Sequence, residues 1–269
     1  MSRTSVTHPI FVAWARELPT GGRIGITFAP GKKDPTPISP GGAWDRDLGL
    51  DLDRLREIER VDLLVSLIED HELTLLGIPN LLAEAHARGL EVVRFPIPDV
   101  DVPGDKVSAR LLVESAVARA RSGSSVAFHC RGGLGRAGTM TACALVALGQ
   151  KADAAIARVR QVRPGAIETA AQKTFVRRFL DEELDVSKYS SPSEFYMAHQ
   201  GRVPAVMMGA LERAMQERGL TFPQAWAFLR GKGAIIDIVK VVGAGEAAKQ
   251  PVPKVEDSHP RRRMPSKRK

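Results

Sequence analysis

Cysteines, metal-binding spacings and long apolar runs are scarce in this 269-residue chain. Its two cysteines, Cys130 and Cys143, are too few for a disulfide scaffold, and no CxxC or HExxH spacing offers a metal site. No run of 18 apolar residues is present, so no membrane span is expected, and the N-terminus has no apolar stretch long enough for a secretory signal. We therefore expect a cytoplasmic protein with free thiols and neither metal nor other cofactor.

The formal net charge of +8 is concentrated at one end of the chain. Residues 249–269 hold eight basic and two acidic residues, which accounts for six of the eight charges. Because prolines interrupt this segment, a disordered, solvated tail is the simplest interpretation. Docking on an acidic partner, on nucleic acid or on an anionic membrane is the alternative.

Strand and helix patterns alternate along most of the chain. Apolar runs such as VDLLVSLI at 61–68 are typical of strands buried on both faces, and amphipathic stretches separate them. The fold predicted for 8–184 is therefore α/β, a central, mostly parallel sheet flanked by helices. Residues 185–245 are predicted to form a small helical extension with Trp226 in its core, and 246–269 the basic tail. DPTPISPGGAWDRDLG at 34–49 is predicted to be a loop.

The stretch FHCRGGLGRAGT at 128–139 is a glycine-rich connection between a strand and a helix that should begin near Arg136. Its glycines permit a tight turn in which backbone N–H groups converge beside a helix N-terminus. Such a loop binds a phosphate-sized oxyanion, and Arg136 is suited to hold two of its oxygens.

The same electrostatic field acts on Cys130. A thiol among amide dipoles, near an arginine and a helix N-terminus, should be ionised at neutral pH. A thiolate at the base of an anion site is able to attack phosphorus and form a phosphocysteine. We expect Thr139 to donate its hydroxyl to the sulfur and His129 to orient the loop by hydrogen bonding. Cys143, on an apolar helix, is expected in the core.

Two other classes of loop fit this stretch less well. A nucleotide-binding loop would place Lys before Ser or Thr, and a dinucleotide loop has no need of Cys or Arg. HCRGGLGRAGT instead resembles the signature of cysteine-dependent protein tyrosine phosphatases, His-Cys-x-x-Gly-x-Gly-Arg-x-Gly-Thr/Ser. HELTLLGI, VVRFPIPD and RPGAIETAAQ resemble the dual-specificity branch, in particular its kinase-associated phosphatase group. The resemblance covers roughly residues 10 to 182.

The leaving group of a phosphate ester needs a general acid on a mobile loop. FPIPDVDVPGD offers Asp99, Asp101 and Asp105, each of which is otherwise a solvated loop carboxylate. The resemblance implies Asp99, 31 residues before Cys130, with Asp101 as the alternative.

The resemblance also implies that Gln172 helps to position the attacking water, unless it is a polar residue on an exposed helix face. Glu72 either braces the loop or caps a turn, and we leave that open. The resemblance further implies that phosphate is bound by the backbone amides of Arg131, Gly132, Gly133, Leu134 and Gly135.

The expected activity is hydrolysis of phosphotyrosine, phosphoserine or phosphothreonine in phosphoproteins. The loop lacks the extra lysines of lipid-directed relatives, which makes inositol phosphates or phospholipids the alternative substrates. A catalytically silent phospho-binding module is a further alternative, but Cys, Arg and acid are all retained.

Overall fold

The computed structural model describes residues 2–35, 42–180, 186–198 and 205–231. Over these residues it contains a five-stranded sheet in the order β1-β2-β7-β5-β6 and a two-stranded pair, β3-β4. The strands are β1 (Ala13–Glu17), β2 (Arg23–Phe28), β3 (Lys33–Asp34), β4 (Trp44–Asp45), β5 (Leu63–Ser66), β6 (Glu91–Arg94) and β7 (Ser125–Cys130).

Helices connect and flank the strands. They are α1 (Leu48–Glu57), α2 (Asp70–Leu75), α3 (Leu81–Ala87), α4 (Lys106–Arg121), α5 (Gly135–Ala147), α6 (Ala152–Val162), α7 (Ala170–Arg177), α8 (Pro192–Ala198), α9 (Ala205–Arg218) and α10 (Phe222–Gly231). Among these elements no helix is both long and apolar enough to cross a bilayer.

The predicted α/β fold with a mostly parallel sheet is confirmed. Strands β2, β7, β5 and β6 pair in parallel, and β1 pairs antiparallel with β2 at the edge. All four residues of β5 are buried, as its continuous apolar run predicts. Strand β1 was not predicted. Its sequence, AWARE, shows no regular alternation of apolar and polar residues, and only two of its five residues are buried.

The interpretation of 34–49 as a loop was wrong in part. Strands β3 and β4 pair across it, with Lys33 opposite Asp45 and Asp34 opposite Trp44. Helix α1 then begins at Leu48, because the Asp47 side chain accepts a hydrogen bond from the Leu50 N–H and caps it.

A second hydrophobic cluster lies under the C-terminal helices. Trp226 of α10, 2% exposed, packs on Phe195 of α8 and Phe222 of α10, and Leu111 of α4 belongs to the same cluster. Trp226 is therefore a core residue, as predicted, and the helical extension is attached to α4. The domain bounds 8–184 and 185–245 stay predictions. The basic tail, 246–269, lies outside the described residues.

Candidate active site

The catalytic loop leaves the sheet at the carboxyl end of its parallel strands. Cys130 is the last residue of β7, in register with Phe28 at the end of β2, and only 3% exposed. Residues 131–134 form the turn, and α5 begins at Gly135, one residue before the predicted start. This edge is where open parallel sheets bind ligands, since the loops and helix N-termini that follow the strands converge there.

Two glycines of the loop are closely packed by their surroundings. Gly133 has φ +66°, and a Cβ atom there would lie 2.5 Å from the Thr27 carbonyl oxygen. A Cβ on Gly135 would lie 2.4 Å from a carboxylate oxygen of Glu168 and 2.8 Å from Nε2 of Gln172. The loop therefore packs against both β2 and the segment that leads into α7.

The carbonyl groups of the loop all point outward. The Arg131 oxygen accepts from Lys32 Nζ at 3.3 Å, and the Gly132 and Gly133 oxygens accept from Arg163 at 2.9 and 3.1 Å. The Leu134 oxygen accepts from the Gly138 N–H at 2.9 Å. Since C=O and N–H of a planar trans peptide point in opposite directions, the N–H groups of residues 132–135 face the cavity. This is the geometry that the sequence predicts for an oxyanion cradle, and phosphate binding by these amides stays a prediction.

Arg136 is buried and held by acidic side chains. Its Nη1 and Nη2 donate to the two carboxylate oxygens of Glu72 at 2.6 and 2.8 Å, and Nη1 also donates to the Ile97 carbonyl at 3.0 Å. Nη2 further lies 2.8 Å from Oδ1 of Asp99. Burial opposes the charge of Arg136, but the Glu72 hydrogen bonds and the charge of Cys130 raise its pKa.

Glu72 therefore braces Arg136, a role that the sequence left open. It does so in addition to capping α2, where one of its oxygens accepts from the Glu69 N–H at 2.8 Å. Burial alone would raise the pKa of Glu72, but the hydrogen bonds from Arg136 and Glu69 outweigh burial and lower it.

Asp99 and Asp101 occupy different environments. The half-exposed side chain of Asp99 lines the cavity and contacts Arg136, whereas the Asp101 carboxylate accepts from the N–H of Val102 in its own loop. Val100, which lies between the two aspartates, has φ +65°, a strained conformation for a β-branched side chain. Of the two carboxylates, only Asp99 is among the residues that line the cavity.

Gln172 is fully buried, so the exposed-face interpretation of this residue was wrong. Its Oε1 accepts from the N–H groups of Glu168 and Thr169, and its Nε2 donates to the carbonyls of Val100 and Asp101 at 3.4 and 3.2 Å. The amide thus joins the loop that carries Asp99 to the start of α7.

The remaining residues singled out from the sequence, Thr139, His129 and Cys143, differ in how well the structure agrees with their predicted roles. The Thr139 hydroxyl donates to the Gly135 carbonyl at 2.8 Å, so it stabilises the first turn of α5, and its predicted bond to the sulfur is not formed here. His129 is fully buried, and neither ring nitrogen makes a hydrogen bond of good geometry among the described residues, although a weaker interaction with the Cys130 backbone opposes the effect of burial on its pKa; the orienting role stays a prediction. Burial lowers its pKa to about 3, so the ring is neutral. Cys143 is buried in α5, as predicted, and burial raises its pKa.

Several residues of the site were not predicted. The cavity above Cys130 has a volume of about 140 Å³ and is lined in addition by Lys32, Asp34, Trp44 and Glu168. Burial raises the pKa of Glu168. Lys32 and Trp44 reach the site because β3 and β4 pair beside it, and no local sequence signal indicates that pairing.

Comparison with known proteins places this geometry in a family. A model of the Swiss Army Knife DSP-PTPase phosphatase domain matches residues 54–176. Cyclin-dependent kinase inhibitor 3 of Sus scrofa is 33% identical over 114 residues, which cover 41% of this chain and 53% of that protein. The crystal structure of kinase-associated phosphatase with its catalytic-site cysteine replaced by serine superimposes with a TM-score of 0.56 and 25% identity, over 64% of this chain and 95% of that one.

These matches support membership of the chain in the cysteine-dependent protein tyrosine phosphatase superfamily. Within the superfamily, protein tyrosine phosphatase type IVA 3 of Homo sapiens is 39% identical over 92 residues, which cover 34% of this chain and 53% of that protein. The chain spans about half the length of these curated phosphatase relatives. The matched family model includes the phosphatase loop, Asp99 and Gln172, and ends before α8.

Proposed function

We propose that the chain hydrolyses phosphate monoesters of phosphoproteins, on tyrosine or on serine and threonine, through a phosphocysteine on Cys130. The observation that carries the proposal is the cradle itself: Cys130 lies at its base, and the loop carbonyls all point away from the cavity. The inward N–H groups are placed to stabilise the charge that develops on the phosphoryl oxygens.

The donor inventory of Arg136 indicates how phosphate binds. Nη1 is fully occupied by Glu72 and the Ile97 carbonyl, whereas the Nε–H has no acceptor among the described residues. One N–H of Nη2 faces Asp99. Phosphate would therefore bind to Nε and Nη2 as a bidentate ligand and displace Asp99 from the guanidinium.

The displaced Asp99 is then free to serve as the general acid. In the first step the Cys130 thiolate attacks phosphorus, the bond from phosphorus to the ester oxygen breaks, and protonated Asp99 gives its proton to that oxygen. In the second step water attacks the phosphocysteine, the S–P bond breaks, and ionised Asp99 takes a proton from the water. Inorganic phosphate and the thiolate result.

Gln172 supports the second step by position. Its buried amide holds the backbone of the acid loop at Val100 and Asp101 and lies beside Gly135. It therefore fixes the distance between Asp99 and the cradle, where the attacking water must sit.

A protein substrate is supported by the printed names of the relatives, a kinase-associated phosphatase and a protein tyrosine phosphatase. The loop interior, Arg-Gly-Gly-Leu-Gly, also carries no lysine. Inositol phosphates and phosphoinositides, offered beside phosphotyrosine and phosphothreonine peptides, are the competing substrates in the test below.

The test is turnover of para-nitrophenyl phosphate by the purified chain in the presence of a chelator. We expect hydrolysis that vanadate inhibits, complete loss of turnover in Cys130→Ser with phosphopeptide binding retained, and normal turnover in Cys143→Ser. Turnover by Cys130→Ser would refute the phosphocysteine. Binding without any turnover by the wild type would identify a silent phospho-binding module, and faster hydrolysis of inositol phosphates than of peptides would reassign the substrate.

A further inference from the structure

The positive charge of Arg136 is already compensated before substrate arrives. Its guanidinium forms a bidentate pair with Glu72 and faces Asp99 at 2.8 Å. Even when Asp99 is protonated for the first step, the pair with Glu72 is neutral. Glu72 and Asp99 therefore offset much of the positive charge that Arg136 presents in the free enzyme, although Arg136 and Cys130 still interact.

Lys32 is a buried cation with no such partner. It is 5% exposed, lines the cavity with Cys130, and makes one hydrogen bond, from Nζ to the Arg131 carbonyl at 3.3 Å. Nζ lies 4.4 Å from the centre of the Trp44 ring and 5.2 Å from that of Phe28. Within the described parts of the chain no carboxylate lies within 4 Å of it, so two of its three N–H donors are unused.

Arg163, which is half-buried, is a second cation near the loop. It follows α6 and donates from Nη2 and Nε to the carbonyls of Gly132 and Gly133, while its guanidinium carbon lies 5.5 Å from the centre of the Phe11 ring. It forms no ion pair among the described residues. Lys32 and Arg163 thus contact successive carbonyls of the loop.

A buried cation without a counter-ion is costly, so a nearby anion is the physical reason to retain one. Burial lowers the pKa of Lys32 to about 8, and it lowers the pKa of Arg163. The negative charge of Cys130 opposes that effect at both residues.

The other charged groups that face Lys32 leave the sulfur as its uncompensated counter-charge. Asp34, on β3, is the carboxylate that raises the pKa of Lys32 most, but Arg131 binds that carboxylate at 3.0 and 3.1 Å. Arg46, after β4, and Arg163 are both positive.

We propose that Lys32 and Arg163 supply the positive charge that balances the Cys130 thiolate, while Arg136 is reserved for the phosphate. The inference rests on the proposed function, because it assumes that the thiolate is the working form of Cys130. Lys32 and Arg163 act through the sulfur rather than by contact with substrate, so both are positioning residues.

The first measurement is alkylation of Cys130 by iodoacetamide over a pH series, read by mass spectrometry. A unit charge within roughly 10 Å, at an effective dielectric constant of about 20, moves an ionisation by about one pH unit. We expect the pH of half-maximal alkylation to rise by about one unit in Lys32→Met and in Arg163→Met. Lys32→Arg and Arg163→Lys, which keep the charge, should restore most of the wild-type behaviour.

Lys33→Met is the matched control. Lys33 directly follows Lys32 and begins β3, but its side chain is exposed and pairs with Asp45. It should alkylate like the wild type. Circular dichroism checks that each variant is folded. If Lys32→Met does not fold, Lys32→Gln is used in its place.

The second measurement is kcat/KM against pH. At a pH well below the wild-type midpoint of alkylation, kcat/KM of the neutral variants should fall about tenfold, since a rise of one pH unit in the midpoint is there a tenfold change in thiolate. The loss should shrink above both midpoints, where the thiol is ionised in wild type and variants alike, and for Lys32→Met also because Lys32 loses its charge in the wild type above about pH 8. A defect that is merely structural would be the same at every pH.

The outcomes separate the inference from the proposed function. Folded neutral variants that alkylate like the wild type, with normal turnover, would overturn the role of Lys32 and Arg163 alone. Raised midpoints in the neutral variants of a chain that hydrolyses no phosphate ester would support the charge balance and overturn the proposed function.

Discussion

Replacement of Glu72 by alanine tests the brace on the catalytic arginine. The carboxylate and guanidinium are 3% and 1% exposed at their side chains and are joined by two hydrogen bonds of 2.6 and 2.8 Å. Alanine would leave a buried guanidinium with only the Ile97 carbonyl and the half-exposed Asp99. Removal of one partner of a buried ion pair costs about 3–5 kcal/mol, because the remaining charge is uncompensated.

The assay is urea unfolding followed by circular dichroism, with the free energy extrapolated to water. For a chain of this size the expected loss corresponds to a fall in Tm of roughly 6–20 °C. Glu72→Gln, which keeps one acceptor, should lose less. Because the folded pKa of Glu72 is lowered, its contribution is present above about pH 4 and is lost as the pH falls through the folded value. The difference between wild type and Glu72→Ala should therefore narrow in acid.

Asp45→Ala is the control. Asp45 also pairs with a basic residue at 2.8 Å, but its side chain is 63% exposed and that of Lys33 is 56% exposed, and exposed pairs contribute at most about 1 kcal/mol. If Glu72→Ala unfolds at the same urea concentration as Asp45→Ala, the reasoning about the buried pair is refuted.

Three further predictions concern the acid, the water and the helical extension. Asp99→Asn should lower kcat about 100-fold and Asp101→Asn less than about threefold, as steady-state rates with an aryl phosphate would show; equal losses would contradict the assignment. Gln172→Leu should slow hydrolysis of the phosphocysteine, so that stopped-flow records a burst of phenol, and steady turnover without a burst would count against this role. Trp226→Ala should cost about 3–5 kcal/mol of stability with kcat/KM unchanged, whereas Met197→Ala, at a side chain 74% exposed, should stay within about 0.5 kcal/mol in the same unfolding experiment.

The conformation of the loop after Cys130 was predictable from sequence because its requirements are local. Gly133 is needed for a positive φ, Cys130 ends an apolar strand, and Arg136 follows at a fixed distance on the first turn of a helix. The fold class followed from the alternation of strand and helix patterns, which depends on periodicity within each segment. The tight turn, the anion site and the thiol at its base lie within ten consecutive residues.

The partners of that loop were decided by the tertiary structure. Glu72 lies 64 residues from Arg136 in sequence, and Lys32 lies 99 residues from Arg131. Both meet the loop only because β2, β5 and β7 pair in parallel and bring their carboxyl ends to one edge. The sequence around Glu72 indicates that it caps a helix, but nothing in that sequence indicates that it also binds the buried Arg136. Local sequence sets backbone conformation, but burial and long-range pairing determine which charges are compensated, and these exist only once the sheet is assembled.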